Sequence, residues 1–412
     1  MVVNPVSTVY RGARRLSGFF IRGLILWDVR STLAVIFTYF TENRKLKALP
    51  ALRKGFADHR AEFRPADEKY RGIFPRLIDA YTRAKADQAG VPGPYRVGIM
   101  WQREIDSHCG ELAAVLRDGD ADKLRALMDN FHREKISLGL QGNSEWANIQ
   151  RPFYKYLYVN TWYAFYRIYE ELAGKQPPLQ YPMVGNPAGL YHDGRVIPFH
   201  AIRYHYSARE MLNLLGETGH PVVAEIGSGL GGQAHALLAN AERPVTYLCL
   251  DIPEVLIVAS YFLMAALPEK KFLLYGEAPP DAANFQQYDV ILMPNFVLPQ
   301  LGEQSVDLFF NNSSFSEMDS ETVREYLRQI ERIGRGYFLH INHNTAFNWR
   351  EDGREFHNLP GTQVVPDPTV FKKLYQYHWP LNTLPEELYY KGAGFLAFLY
   401  EKRRPGPPEM KG

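Results

Sequence analysis

The chain has 412 residues, of which 46% are hydrophobic and 22% are charged. At roughly 100 to 200 residues per domain, this length predicts two or three domains with a full hydrophobic core. The composition excludes a mainly disordered chain. Two cysteines are too few for a disulfide framework or a structural zinc site, so we expect a reducing compartment.

The formal net charge is only +2, but it is unevenly distributed. Residues 1–60 hold eleven lysines or arginines against three acidic residues. Such a basic segment would bind an anionic membrane surface or a phosphorylated partner. Alternatively, it is the solvent-exposed face of a helix. Its most apolar part, 16–40, is interrupted by charged residues and predicts no membrane span. The first residues of the sequence lack the features of a signal peptide. We expect a cytoplasmic protein, with 1–60 as the candidate contact to the inner face of the membrane.

Up to about residue 175 the spacing of apolar residues predicts helices, over 61–84, 103–117 and 120–136. Within this part, 153–169 has nine aromatic residues in 17 positions, many at helical spacing. This aromatic stripe indicates either core packing or a platform on which sugar rings stack. Prolines and glycines are then dense over 176–203, which predicts a connecting loop between a helical region (1–175) and a second domain (204–412).

From residue 204 onward, apolar strands alternate with helices. The predicted strands are 221–226, 245–250, 290–294, 307–311, 336–341 and 395–400. The predicted helices are 232–241, 253–267 and 320–333. This alternation is typical of an α/β fold, a Rossmann-like parallel sheet with helices on both faces. The segment 272–275 fits either a strand of the sheet or an insertion.

A glycine-rich turn follows the first of these strands and leads into a helix. It reads Glu225-Ile226-Gly227-Ser228-Gly229-Leu230-Gly231-Gly232. Glycines let the backbone turn tightly and approach a ligand, which indicates a nucleotide-type site. The spacing also satisfies the dinucleotide motif, with Asp251 at the distance of a ribose-binding acid. Glu225, however, repels a pyrophosphate and favours a cationic ligand.

These residues resemble the class I S-adenosylmethionine-dependent methyltransferases over about 205–400. The first motif of that family, acid-x-Gly-x-Gly-x-Gly, is matched here, and Asp251 matches the acid that holds the ribose hydroxyls. The likeness implies S-adenosylmethionine as cofactor. It implies cofactor contacts from Glu225, Gly227, Ser228, Gly229, Gly231, Asp251, Asn295 and Asn312. For the adenine contact, Asn295 is favoured over Glu277 because it keeps the usual interval to the fourth strand.

A closer likeness is to the bacterial sugar O-methyltransferases. It depends on Gly185-Asn186-Pro187, on Arg203-Tyr204-His205-Tyr206 and on Asn312-Ser313-Ser314-Phe315-Ser316-Glu317-Met318. The likeness implies that the acceptor is a sugar hydroxyl. The candidate substrate-binding residues are Arg203, Tyr206 and Ser314.

A sugar hydroxyl is weakly acidic, so its methylation calls for a base. His343, just past the fifth strand, is the first candidate for this base. The alternative is that His343 is a surface-loop residue without a catalytic role. His340 within the strand is a second candidate, but its position favours a core role. Glu317 fits an orienting acid, a metal ligand or an early helix residue favoured by the helix dipole. No tight spacing of histidines and carboxylates predicts a metal site.

The sequence therefore predicts an S-adenosylmethionine-dependent O-methyltransferase that acts on a sugar, in a surface polysaccharide or its precursor. Two alternatives remain at this point: a methyltransferase of small natural products, and a non-catalytic binding or scaffold protein. Nucleic acid is disfavoured as a partner, because residues 205–412 contain no basic stripe interleaved with aromatic residues.

Overall fold

The computed structural model describes residues 54–63, 70–137, 179–192, 194–217, 219–351, 353–379, 381 and 394–404, with four single residues between 146 and 171. Nearly all of the basic segment and most of the aromatic stripe lie outside the described residues. Within the described ranges, no helix is both long and apolar enough to cross a membrane.

The described part of the amino-terminal region is mainly helical, but the helices predicted over 61–84 and 120–136 are shorter: 61–63 is not helical, and the α-helix within 120–136 ends at Met128. Its helices are α1 (Ile73–Gln88), α2 (Ile99–His108), α3 (Gly110–Asp118) and α4 (Ala121–Met128). The single helix predicted over 103–117 is instead two helices that meet at Cys109, whose backbone (φ −101°, ψ 6°) leaves the helical region. Two 3-10 turns follow α4, at Phe131–Arg133 and Lys135–Ser137.

The segment predicted as a connecting loop has structure of its own. Strands β1 (Leu190–His192) and β2 (Arg195–Ile197) form an antiparallel hairpin. Helix α5 (Phe199–Leu215) then begins one residue after Pro198. The helix therefore starts five residues before the predicted boundary at 204, and Arg203 lies within it.

An eight-stranded sheet forms the centre of the carboxyl-terminal half. Its strands are β3 (Val222–Ile226), β4 (Thr246–Asp251), β5 (Phe272–Leu274), β6 (Val290–Pro294), β7 (Val306–Asn312), β8 (Gly334–His343), β11 (Phe371–His378) and β12 (Phe395–Lys402). The spatial order is β11-β12-β8-β7-β3-β4-β6-β5. Strand β12 runs antiparallel to both of its neighbours, whereas the six strands from β8 to β5 are parallel.

Helices cover both faces of this sheet, which confirms the predicted α/β Rossmann-like fold. The covering helices that connect its strands are α6 (Gly232–Asn240), α7 (Pro253–Ala266) and α8 (Ser320–Ile333). Strands β3 and β6 are buried along their whole length, as expected for a parallel sheet with two covered faces. The segment left open at 272–275 forms the edge strand β5. A small hairpin, β9 (Asn348–Glu351) and β10 (Arg354–His357), follows β8.

The amino-terminal helices pack directly on the sheet domain. The Tyr70 hydroxyl, one turn before α1, lies 2.9 Å from the Tyr261 hydroxyl on α7, and both bond the carboxylate of Asp129. Arg76 on α1 forms an ion pair with Glu277 after β5. One continuous set of buried apolar side chains runs from α1 to the sheet. The helical region is therefore positioned to contribute to a site at the sheet edge.

Candidate functional site

A cavity opens where the strand order reverses, between the carboxyl ends of β3 and β7. Ligands of open α/β sheets bind at this switch point. The space between the lining atoms is about 1010 Å³ with the opening to solvent included. Its lining includes Arg96, Gly98, Trp101, Tyr204, Glu225, Gly227, Ser228, Gly229, Leu230, Gln233, Asp251, Ile252, Asn295, Asn312, Ser313, Ser314, Glu317, Met318, Asp319, Thr322 and Tyr326.

The glycine-rich turn forms the floor of the cavity between β3 and α6. Gly227 has φ 77°, and a Cβ there would lie 2.2 Å from the Ser314 hydroxyl. A Cβ at Gly232, the first residue of α6, would lie 2.2 Å from the ring of Tyr204. Only glycine fits these two positions, because neighbouring side chains approach the bare backbone.

Three backbone N–H groups of this turn are paired within the protein. Gly227 N–H donates to the Leu250 carbonyl at 2.8 Å, and Gly231 N–H donates to the Ser228 carbonyl at 3.0 Å. Gly229 N–H donates to Asp251 Oδ2 at 2.9 Å. A pyrophosphate would need such N–H groups as donors. These three N–H groups are therefore not available as donors to the pyrophosphate of a dinucleotide.

Acidic side chains dominate the charge of the cavity. Four of its described lining residues are acidic (Glu225, Asp251, Glu317 and Asp319), and Arg96 is the one basic residue among them. Glu225 is buried and accepts a hydrogen bond from the Tyr247 hydroxyl at 2.9 Å. Burial raises the pKa of Glu225 well above its usual range, and the Tyr247 bond offsets part of that effect. A cationic ligand would stabilise the ionised form of these carboxylates.

Asp251 and Glu317 are two carboxylates in this cavity that ionise near neutral pH. Burial raises the pKa of each to about 7. The bonds from Gly229 and Ile252 N–H oppose the shift at Asp251, and the indole N–H of Trp101, 3.2 Å from Glu317 Oε2, opposes it at Glu317. The negative charge of Asp251 in turn helps to raise the pKa of Glu317.

These pKa values predict how stability depends on pH. The folded protein favours the protonated forms of Asp251 and Glu317, so their stabilising contribution is present below about pH 4 and is lost as the pH rises through 7. Between pH 5.5 and 8 we expect these two carboxylates to contribute a fall in the melting temperature of the ligand-free protein, which buried histidines with a lowered pKa, such as His340 and His343, oppose. Glu317→Gln should reduce that fall by on the order of 2 °C in calorimetry. An unchanged fall in this variant would contradict the raised pKa of Glu317.

The cavity also holds buried acceptors without partners in the protein. Asn295 follows β6 and donates its Nδ2 to the Tyr95 carbonyl (3.1 Å) and the Tyr326 hydroxyl (2.8 Å), which leaves Oδ1 unpaired. Gln233 donates Nε2 to the Tyr204 carbonyl at 3.0 Å, which leaves its Oε1 unpaired. Buried acceptors are normally satisfied. Both residues line the cavity, so these oxygens are candidate acceptors for donor groups of a ligand.

The structure brings together most of the residues predicted to bind a cofactor. Seven of them line the cavity: Glu225, Gly227, Ser228, Gly229, Asp251, Asn295 and Asn312. Gly231 belongs to the same turn, with φ 84°, but is not among the lining residues. Glu277, the alternative adenine contact, pairs with Arg76 outside the cavity. Ser314 and Glu317 also line it.

The remaining candidates lie outside the cavity lining. His343 ends β8, is buried between Phe347 and Phe395, and burial lowers its pKa to about 4. His340 is fully buried in the same strand and stacks on Phe398. The role of His343 as a base stays a prediction.

The two remaining substrate-binding candidates lie on helix α5. Arg203 is buried, and its Nε donates to the Leu381 carbonyl at 2.7 Å. Tyr206 packs edge-on against Trp379. Both side chains thus contact the segment that precedes β12, and their substrate-binding role stays a prediction.

Sequence reasoning missed the part of the site that comes from the helical region. Arg96, Gly98 and Trp101 line the cavity from the start of α2, and Tyr95 stacks on Tyr326 at a centroid distance of 5.5 Å. No strand end or glycine motif marks these residues in the sequence. Tyr204 belongs to a motif that the sequence did single out, and Gln233 directly follows the glycine-rich turn.

No protein-family model and no curated protein matches this chain. Solved structures do match, at low identity. They include phosphoethanolamine N-methyltransferase 2 from Haemonchus contortus, with phosphomonomethylethanolamine and S-adenosylhomocysteine bound (12% identity, 50% of this chain and 53% of that chain, TM-score 0.33). A second is 1,6-didemethyltoxoflavin-N1-methyltransferase from Burkholderia thailandensis, with S-adenosylhomocysteine and 1,6-didemethyltoxoflavin bound (16% identity, 49% of this chain and 79% of that chain, TM-score 0.31). A third is an S-adenosylmethionine-dependent methyltransferase from Mesorhizobium loti (12% identity, 48% of this chain and 96% of that chain, TM-score 0.32).

Proposed function

We propose that this protein is an S-adenosylmethionine-dependent methyltransferase. The observation that carries the proposal is the acidic cavity at the glycine-rich turn, where Glu225 and Asp251 end neighbouring strands. A cofactor with an ammonium, a sulfonium and a ribose matches two carboxylates in this arrangement, as cation partner and as hydroxyl acceptor. When bound, S-adenosylmethionine supplies an activated methyl group.

The adenine end of the cofactor would lie at Asn295. Its unpaired Oδ1 is an acceptor for an exocyclic amine, and its Nδ2 is held by the Tyr95 carbonyl, so the amide orientation is fixed. Asp251, on the strand between β3 and β6, would hold the ribose. The unpaired Oε1 of Gln233, across the glycine-rich turn, fits the ammonium of the methionine half.

The acceptor we propose is a sugar hydroxyl. The resemblance of the Asn312–Met318 segment to sugar O-methyltransferases supports this choice. The cavity lining supports it as well, because Asn312, Ser313 and Thr322 offer hydrogen-bonding groups to a polyhydroxylated ligand. A natural-product acceptor or a binding role without catalysis would remain if no sugar is methylated.

Glu317 is the base that the geometry favours. It is the only one of the three catalytic candidates that lines the cavity, and its pKa of about 7 suits proton abstraction at neutral pH. The Trp101 indole N–H bonds one carboxylate oxygen at 3.2 Å. The other oxygen would accept the proton of the acceptor hydroxyl, which would make that hydroxyl a better nucleophile for the methyl group that the cofactor would supply.

Calorimetry with purified protein tests the proposed cofactor. We expect S-adenosylmethionine and S-adenosylhomocysteine to bind and NAD(H) to give no detectable heat, because three N–H groups of the turn are occupied and the acidic cavity repels a pyrophosphate. Tight NAD(H) binding would overturn the methyltransferase proposal. Cofactor binding without methyl transfer to any sugar or small hydroxyl compound would favour the scaffold alternative.

A further inference from the structure

A buried network of amide and hydroxyl side chains lies beneath the cavity. Asn342 on β8 donates Nδ2 to Asn311 Oδ1 on β7 at 2.8 Å. Asn342 Oδ1 accepts from the backbone N–H of Ser316 at 3.2 Å and lies 3.1 Å from the Ser316 hydroxyl oxygen. Asn311 and Asn342 are both 0% exposed. Unlike the apolar residues around them, these side chains gain nothing from burial unless all their bonds are made.

The network reaches the glycine-rich turn through a single carbonyl. Asn311 Nδ2 donates to the Ile226 carbonyl at 2.8 Å, and the Ser314 hydroxyl donates to the same carbonyl at 3.0 Å. Ile226 directly precedes Gly227, which packs against Ser314. The network therefore joins β8, the turn 313–317 and the glycine-rich turn into one hydrogen-bonded unit.

The turn held in this way has an unfavourable backbone conformation. Ser313 has φ 67°, the left-handed region that non-glycine residues rarely adopt. Its N–H donates to the Ile341 carbonyl at 2.8 Å, and its carbonyl accepts from the Ser316 hydroxyl at 2.7 Å. Such strain persists only where the surroundings fix it, and it is concentrated at functional sites.

We propose that Asn342 is a positioning residue, which aligns the turn 313–317 with the glycine-rich turn for the methionine half of the cofactor. This inference rests on the proposed function. The network contacts β3, β7 and β8. The residues that would hold adenosine lie elsewhere: Asp251 ends β4, and Asn295 follows β6. Loss of Asn342 should therefore affect one half of the ligand and spare the other.

Calorimetric titration of full-length protein with S-adenosylhomocysteine and with adenosine tests this inference. We expect Asn342→Ala to raise the Kd for S-adenosylhomocysteine about tenfold, the effect of leaving buried groups unpaired, and to change the Kd for adenosine by less than about twofold. Ser316→Ala, which removes only a hydroxyl, should shift the S-adenosylhomocysteine Kd in the same direction by about threefold and covers the case in which Asn342→Ala does not fold.

The matched control is Leu339→Ala. Leu339 is fully buried in the same strand on the opposite face, so its truncation lowers the melting temperature without touching the network. Both Kd values should stay unchanged in this variant. Equal weakening of both ligands in the Asn342 and Ser316 variants, or no weakening of either, would overturn the inference. Wild-type protein that binds neither ligand would overturn the proposed function and this inference with it.

Discussion

Replacing Glu317 by Gln should lower the rate of methyl transfer about 10² to 10⁴-fold, which is the usual contribution of a general base. The glutamine has nearly the same shape and can still accept the Trp101 hydrogen bond, but it cannot take up a proton. The measurement is transfer of a labelled methyl group from S-adenosylmethionine to a panel of sugars. S-adenosylhomocysteine should still bind with an affinity within about threefold of the wild type, since the change leaves Asp251 and Asn295 in place.

His343→Ala is the matched comparison, because the sequence placed the base there. The His343 ring lies among Phe347 and Phe395, outside the cavity lining, so its loss should lower the melting temperature while turnover stays within about threefold. A loss of 10² or more in the His343 variant, with normal turnover in the Glu317 variant, would restore the original assignment. If both variants remain active, dialysis against a chelator tests a bound metal, because only a metal-assisted reaction should stop.

Asp251→Ala should weaken the binding of S-adenosylmethionine by about 1.5 to 3 kcal/mol, or roughly 10 to 150-fold in Kd. Asp251 is expected to accept hydrogen bonds from the ribose, and it also holds Gly229 N–H at 2.9 Å and Ile252 N–H at 2.7 Å. Its removal therefore loses ligand contacts and loosens the glycine-rich turn. Isothermal calorimetry gives the Kd directly.

The control for this prediction is the variant Glu277→Gln. Glu277 is the second acidic residue near the sheet edge. Its carboxylate pairs with Arg76 and accepts the Leu274 N–H at 2.8 Å, outside the cavity. Cofactor affinity should be unchanged in this variant. An Asp251 variant with wild-type affinity would remove the ribose contact from the proposal, and a weakened Glu277 variant would return the adenine contact to that residue.

Local pattern in the sequence was sufficient for the central secondary structure. Helix α8 and strand β6 have the predicted bounds, 320–333 and 290–294, and most other elements of the sheet domain differ by one or two residues. Apolar runs of five or six residues bounded by turn formers read as buried strands, and amphipathic spacing reads as helix. The glycine-rich turn and Asp251 were predicted for the same reason. Each lies at the end of a predicted strand and can be recognised from residues that are close to it in sequence.

The helical region shows what local pattern misses. The predicted helix over 103–117 divides at Cys109, and the predicted loop 176–203 contains a hairpin and the start of α5. Nothing in the local spacing indicates that Trp101 approaches Glu317, 216 residues away in the chain. That contact exists because α1 packs on α7 and brings the start of α2 over the cavity.

The position of each candidate base was decided by the tertiary structure. Sequence reasoning placed His343 at the site because it ends a parallel strand, and it ends one in the structure as well. The site, however, lies at the switch between β3 and β7, and the antiparallel strand β12 pairs with β8 and puts Phe395 against His343. The sequence by itself determined the fold class and the glycine-rich turn, because both depend on neighbours along the chain. Which polar side chains share one cavity depends on strand order and helix packing, and these depend on contacts between residues far apart in sequence.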